Sequence, residues 1–160
     1  MRLQVNSLNQ THMMAKVLAE LLVQSQPLPL LLLDGDLGAG KTTLVRFLVS
    51  SLPGGEQAEV SSPSFNILNI YPTQPEVAHF DLYRLQGPPE DFWADILEDE
   101  NRLRIVEWAK YLNPAQYPNH VQIKIKLQKN LRIFHFTSLD KDSILLGQIQ
   151  NRLKEHKLWT

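Results

Sequence analysis

Leu30–Thr43 reads LLLLDGDLGAGKTT, an apolar run followed by Gly35-x4-Gly40-Lys41-Thr42, the spacing of a phosphate-binding loop set between a strand and a helix. Each residue type has a chemical reason. Glycines at 35, 38 and 40 let the backbone turn tightly and bring its N–H groups up to phosphate oxygens, where a Cβ would stand in the way. Lys41 is placed to reach the β and γ phosphates, the Thr42 hydroxyl to ligate Mg2+, and the Thr43 N–H to meet the α phosphate. Gly38, Ala39, Gly40, Lys41, Thr42 and Thr43 are therefore the expected nucleotide contacts.

Outward from this loop, the remaining segments predict one continuous α/β domain over residues 1–160, and no internal repeat or low-complexity stretch interrupts it. Ser7 and Gln10 form a capping-box pattern opening a helix whose Met14, Val17, Leu18, Leu21 and Leu22 make one apolar stripe, ending at Pro27. Leu28 to Asp34 lacks polar alternation and reads as a buried parallel strand. The helix after the loop presents Leu44, Phe47, Leu48 and Leu52 and stops at Pro53-Gly54-Gly55. Phe65–Tyr71 and Val77–Leu82 read as an antiparallel hairpin, as do Val121–Leu127 and Leu131–Thr137 with a turn at Lys129-Asn130. Gly87-Pro88-Pro89 breaks the chain before a short helix around Glu90 to Leu97. Leu103–Val106 reads as a buried strand ending in Glu107, and Leu145, Ile149 and Leu153 mark a C-terminal helix. The expectation is a P-loop NTPase-like three-layer fold around a mixed, partly antiparallel sheet; too few crossover helices separate the later strands for a full doubly wound sheet.

Composition narrows the chemistry. With 160 residues, 43% of them hydrophobic, the chain can bury its own core, and a formal net charge of -1 gives no overall attraction to nucleic acid. The absence of cysteine excludes disulfides, thiolate metal sites and a cysteine nucleophile. The opening MRLQVNSLNQTHMM lacks an apolar signal core, and no apolar run approaches a membrane span, so a cytoplasmic protein with no membrane partner is expected.

A phosphate loop binds nucleotide, whereas hydrolysis also needs groups that hold the metal and position water. Glu107 stands at the end of its strand, where a Walker-B-like acid is presented; the alternative is a solvated acid capping the strand. Asp81 ends another strand, with an ion pair to Arg84 or a turn role as its alternative. Ser61-Ser62-Pro63-Ser64-Phe65 lies where small nucleotide hydrolases carry a switch, though composition alone also fits an ordinary proline turn. Along Val121–Arg132, Lys124 and Lys126 alternate with Ile123, Ile125 and Leu127 before Lys129 and Arg132, which reads as a solvated edge strand guarded by lysines more readily than as a nucleic-acid-binding face.

GDLGAGKTT at 35 to 43, SPSF at 62 to 65, HFDLYRL at 79 to 85 and VEW at 106 to 108, in this order and at these separations, resemble the TsaE (formerly YjeE) family over roughly residues 5 to 137. That resemblance implies an ATPase of tRNA threonylcarbamoyladenosine synthesis, with ATP and Mg2+ as ligands and TsaD and TsaB as partner subunits. Contact with tRNA would be indirect, through that complex. It implies metal binding by Thr42 and Glu107, catalytic roles for Lys41 and for Asp81 near the attacking water, and Ser62 to Phe65 as the switch. Trp108 is implied near nucleotide or partner, with a buried structural tryptophan as the alternative; Thr11 and Arg132 match family positions near the adenine edge and the nucleotide. Two departures are visible: Ser64 stands where threonine is usual and Ala109 where proline often follows the tryptophan.

A small-molecule kinase is the competing reading, but it needs a lid of clustered arginines, and those here are scattered at 84, 102, 104 and 132. A signalling GTPase would carry an N-K-x-D motif and an acid-x-x-Gly switch after Asp81. Neither is present.

Overall fold

The computed structural model describes residues 1–85, 93–139, 143–156 and 158. Seven strands join one mixed sheet in the order β1-β7-β6-β2-β5-β4-β3. They are β1 (Arg2–Val5), β2 (Leu30–Asp34), β3 (Leu68–Tyr71), β4 (Val77–Asp81), β5 (Leu103–Glu107), β6 (His120–Gln128) and β7 (Leu131–Thr137). The helices are α1 (Leu8–Gln24), α2 (Lys41–Ser50), α3 (Ala94–Glu98) and α4 (Ile144–Glu155). None is long and apolar enough, among the described residues, to cross a membrane.

The middle of the sheet, β6-β2-β5-β4, is parallel, and the antiparallel β7, β1 and β3 extend it on the two sides. All five residues of β2 are buried, as a strand covered on both faces requires. Leu31 and Leu33 face the layer of α1, α2 and α4 with Leu18, Leu44, Leu48 and Ile149. Leu30 and Leu32 face the opposite side, where Leu97 of α3 and the short 3-10 turns after β5 supply Ala109 and Leu112. This thin second layer makes the fold three-layered with unequal sides.

The capping box at Ser7 forms with a one-residue offset. Ser7 Oγ accepts from the Gln10 N–H at 3.2 Å, while Gln10 Oε1 accepts from the N–H of Asn6, the residue before the cap, at 2.8 Å. At the far end of the chain, Arg152 on α4 reaches Glu20 on α1 at 3.1 Å.

Two expectations are corrected and one strand is added. The first hairpin strand begins only at Leu68, because Ile67 takes φ 68° and the Ile67 N–H bonds back to Pro63, folding Phe65–Ile67 into a turn. Arg2–Val5 pairs antiparallel with β7, a strand whose short e-B-e-B burial pattern acquires meaning only beside its partner. Finally, β6 lies between β2 and β7, so Lys124 and Lys126 guard no edge; they stand on an internal strand whose outer face carries no helix among the described residues. The predicted helix around Glu90 appears as Ala94–Glu98, and its expected first residues lie outside those described.

Candidate functional site

The parallel register decides what meets at the carboxyl edge of the sheet. Leu33 pairs with Glu107, and Glu107 in turn with Asp81, so strands far apart in sequence deliver two acids side by side beside the start of the phosphate loop. Alternation then sets their direction. Leu103 and Ile105 face the α2 side, and Glu107, two residues on, shares that face.

The loop is shaped by its glycines. A Cβ on Gly35 would lie 2.5 Å from the Ile125 carbonyl oxygen, and Gly40 takes φ 107°, a left-handed conformation that suits glycine where α2 begins. Ala39 turns into the core, only 2% exposed. Lys41, 5% exposed, donates from Nζ to the carbonyls of Gly35 at 2.7 Å and Asp36 at 3.1 Å, with Nζ also 4.0 Å from the Trp108 ring centre. Burial pushes its ammonium below the ordinary lysine range, and the nearby carboxylates of Glu107, Asp81, Asp34 and Asp36 oppose that shift. A cation held by carbonyl oxygens and an indole face is ready to exchange them for phosphate oxygens, which are stronger partners.

Thr42 Oγ1 donates to Glu107 Oε1 at 2.8 Å, joining the first turn of α2 to the end of β5. His79, fully buried on β4, approaches the same Oε1 with its Nε2 at 3.0 Å. A carboxylate can only accept, so Nε2 donates, and Nδ1 has no hydrogen-bond partner among the described residues. Glu107 is thus oriented from two sides and is 2% exposed, which is not the solvated strand cap that its sequence also allowed.

Asp81 takes the turn role that its sequence allowed, and not the ion pair. One carboxylate oxygen accepts the Ser62 hydroxyl and the other accepts the Tyr83 N–H at 2.9 Å, and among the described residues no ion pair joins it to Arg84. Its backbone N–H also donates to Ile67 O at 2.9 Å. Asp81 therefore ties the Ser61–Phe65 loop to the turn after β4. Trp108 follows Glu107 with φ 60°, an uncommon conformation for a bulky residue and one found where local strain serves a site. Its ring centre lies 4.8 Å from that of Tyr83, the two planes tilted by 41°.

These groups surround a cavity of about 370 Å³ lined by loop residues, including Gly38, Gly40, Lys41, Thr42 and Thr43, and by Ser62, Ser64, Asp81, Arg84, Glu107 and Trp108. Of the nucleotide contacts expected from sequence, Thr11, Ala39 and Arg132 are not among its lining residues. The Thr11 hydroxyl is spent on Ser7 O at 3.2 Å inside α1, and Thr11 is 1% exposed. Arg132 packs against the loop itself, its Nε 3.2 Å from where a Gly40 Cβ would sit. Two residues gain a place that their sequence context did not assign. His79 shares a strand face with Asp81 by two-residue alternation, a signal that was available, whereas Arg84 enters the cavity from a turn that no periodicity describes.

A magnesium site built from protein side chains alone is not present among the described residues, where no cluster of three or more His, Cys, Asp or Glu could hold a metal. The hard oxygens of Thr42 and Glu107, 2.8 Å apart at the cavity wall, instead fit an ion that takes one or two protein ligands and completes its shell with phosphate and water.

A family model described as threonylcarbamoyl adenosine biosynthesis protein TsaE matches residues 5–134. Among similar proteins, the tRNA threonylcarbamoyladenosine biosynthesis protein TsaE of Rickettsia felis is 34% identical over 139 residues, covering 84% of this chain and 81% of its own. Its namesake from Aquifex aeolicus is 33% identical over 125 residues, covering 78% of this chain and 88% of its own. The crystal structure of Bacillus subtilis YdiB superposes with a TM-score of 0.68 at 23% identity, covering 98% of this chain and 95% of that one, a likeness of fold.

Proposed function

The chain belongs to the TsaE family of tRNA threonylcarbamoyladenosine biosynthesis proteins, and from that premise we propose that it is the Mg2+-dependent ATP hydrolase driving turnover of the TsaD–TsaB complex. The observation that carries this reading is the convergence of Lys41, Thr42, Asp81 and Glu107 on one cavity behind a phosphate loop. Its setting would be the cytoplasm, and its contact with tRNA would come through the complex.

The residues divide the work. The loop N–H groups and Lys41 bind and orient the phosphates. Thr42 and Glu107 would hold magnesium, which supplies charge neutralisation across the β and γ phosphates when bound. Asp81 orders the Ser62 hydroxyl and, through it, the wall facing the γ phosphate, where an attacking water must be held. Trp108 and Tyr83 pack together along one side of the cavity. A kinase lid finds no support here: Arg102 pairs with Glu76 and Asp99, and Arg104 is buried against the carbonyls of Leu28 and Leu97.

His79 acts on Glu107 and not on substrate. His79→Ala is expected to raise the Mg2+ concentration for half-maximal ATP hydrolysis by about 10- to 100-fold, the usual cost of losing a residue that orients a metal ligand. An unchanged magnesium titration would remove His79 from the site.

The proposed assembly is tested by measuring association of purified TsaD–TsaB with this protein under ATP, ADP and no nucleotide. Tighter association with ATP than with ADP, together with faster hydrolysis in the complex, is expected, because nucleotide can bias assembly only through a difference in affinity between states. Equal affinities and no stimulation would separate the protein's nucleotide site from that complex.

A further inference from the structure

Arg84 is the one arginine lining the phosphate cavity among the described residues, and nothing in the arrangement above uses it. Its guanidinium carbon lies 4.0 Å from the ring centre of Phe65, which is 79% exposed at the tip of the Ser61–Phe65 loop. A phenylalanine so exposed contributes little to the core. Here it serves as a platform for a cation. The loop that carries Phe65 and the turn that carries Arg84 are tied together at Asp81, whose carboxylate accepts from Ser62 on one side and from the Tyr83 N–H on the other. The position of Arg84 is thereby coupled to the residues that face the γ phosphate.

The stacking holds Arg84 at the cavity wall, and among the described residues no hydrogen bond occupies its guanidinium donors. A guanidinium presents five N–H donors in a planar fork suited to phosphate oxygens, and an exposed aromatic face is a weak competitor for them. We propose that Arg84 is a catalytic arginine supplied in cis, which leaves the Phe65 ring to contact the γ phosphate as it is transferred. The proposal rests on the ATPase reading above. In the step itself, the water oxygen bonds to the γ phosphorus while the bond from that phosphorus to the bridging oxygen breaks. The bridging oxygen departs on ADP with the electron pair, and the water's proton passes to the released phosphate and then to solvent. Charge on the transferring group is spread over its equatorial oxygens, and Arg84 neutralises it there.

The test is single-turnover hydrolysis of Mg2+-ATP by the full chain in excess, with wild type, Arg84→Ala and Lys41→Ala compared, and binding of ADP measured with and without aluminium fluoride. Arg84 is exposed, so its replacement spares the core. Arg84→Ala is expected to slow hydrolysis at least tenfold and to lose the extra affinity that aluminium fluoride adds, while ADP alone binds within about twofold of wild type. Wild-type hydrolysis by Arg84→Ala would overturn the proposal, and so would an equal loss of affinity for ADP with and without aluminium fluoride, which marks a general phosphate binder. If wild type hydrolyses ATP no faster than Lys41→Ala, the ATPase reading fails and the role of Arg84 fails with it.

Discussion

Asp81→Ala is expected to leave ATP binding near normal and to lower hydrolysis in the assembled complex by about 10²- to 10⁴-fold, the range lost when a group positioning the attacking water is removed. The reason lies in what Asp81 holds. Its carboxylate receives the Ser62 hydroxyl and the Tyr83 N–H, so one side chain organises both segments proposed to face the γ phosphate without touching the phosphate loop. Binding and turnover should therefore separate. The measurement is steady-state hydrolysis beside calorimetric ATP affinity; a normal rate would reduce Asp81 to a loop fastener. Asp81→Asn, which can still accept from Ser62, is expected to fall between wild type and alanine.

Lys41→Ala has the second large effect, on affinity. A charge-assisted contact to phosphate contributes about 1.5 to 3 kcal/mol, which corresponds to about 10- to 150-fold weaker ATP binding. The residue is already desolvated and its positive charge is held by carbonyl oxygens and the Trp108 ring, so no large reorganisation offsets the gain on binding. Calorimetry decides the matter, and equal affinities for mutant and wild type would refute the assignment. The same residue gives a pH dependence of known sign. Burial lowers its proton affinity, so ATP affinity should decline as pH rises, starting at lower pH than it would for an exposed lysine.

Local rules carried much of the fold. The phosphate loop was legible because a few adjacent residues must satisfy a steric and electrostatic demand together, and the apolar run before it read as a buried parallel strand because a strand covered on both faces has no polar alternation. The second hairpin and the C-terminal helix followed from periodicity in the same way. Glu107 was visible as an acid at a strand end, and the HFDLYR stretch pointed to Asp81 through family resemblance.

What only tertiary structure decided is everything set by pairing between distant segments. The sequence does not state that β5 and β4 align Glu107 with Asp81, that Thr42 and His79 converge on one carboxylate oxygen, or that Arg84 rests on Phe65 at the cavity wall. Nor does it make Arg2–Val5 a strand, since four residues alternating in burial lack a distinctive local signature until β7 lies alongside. The position of β6 shows the same limit: its lysines looked like edge protection because alternation reports which residues share a face but not whether another strand binds the backbone. Side-chain periodicity and turn chemistry act within a few residues and can be read along the chain, whereas register and strand order arise from the shared burial of the whole sheet.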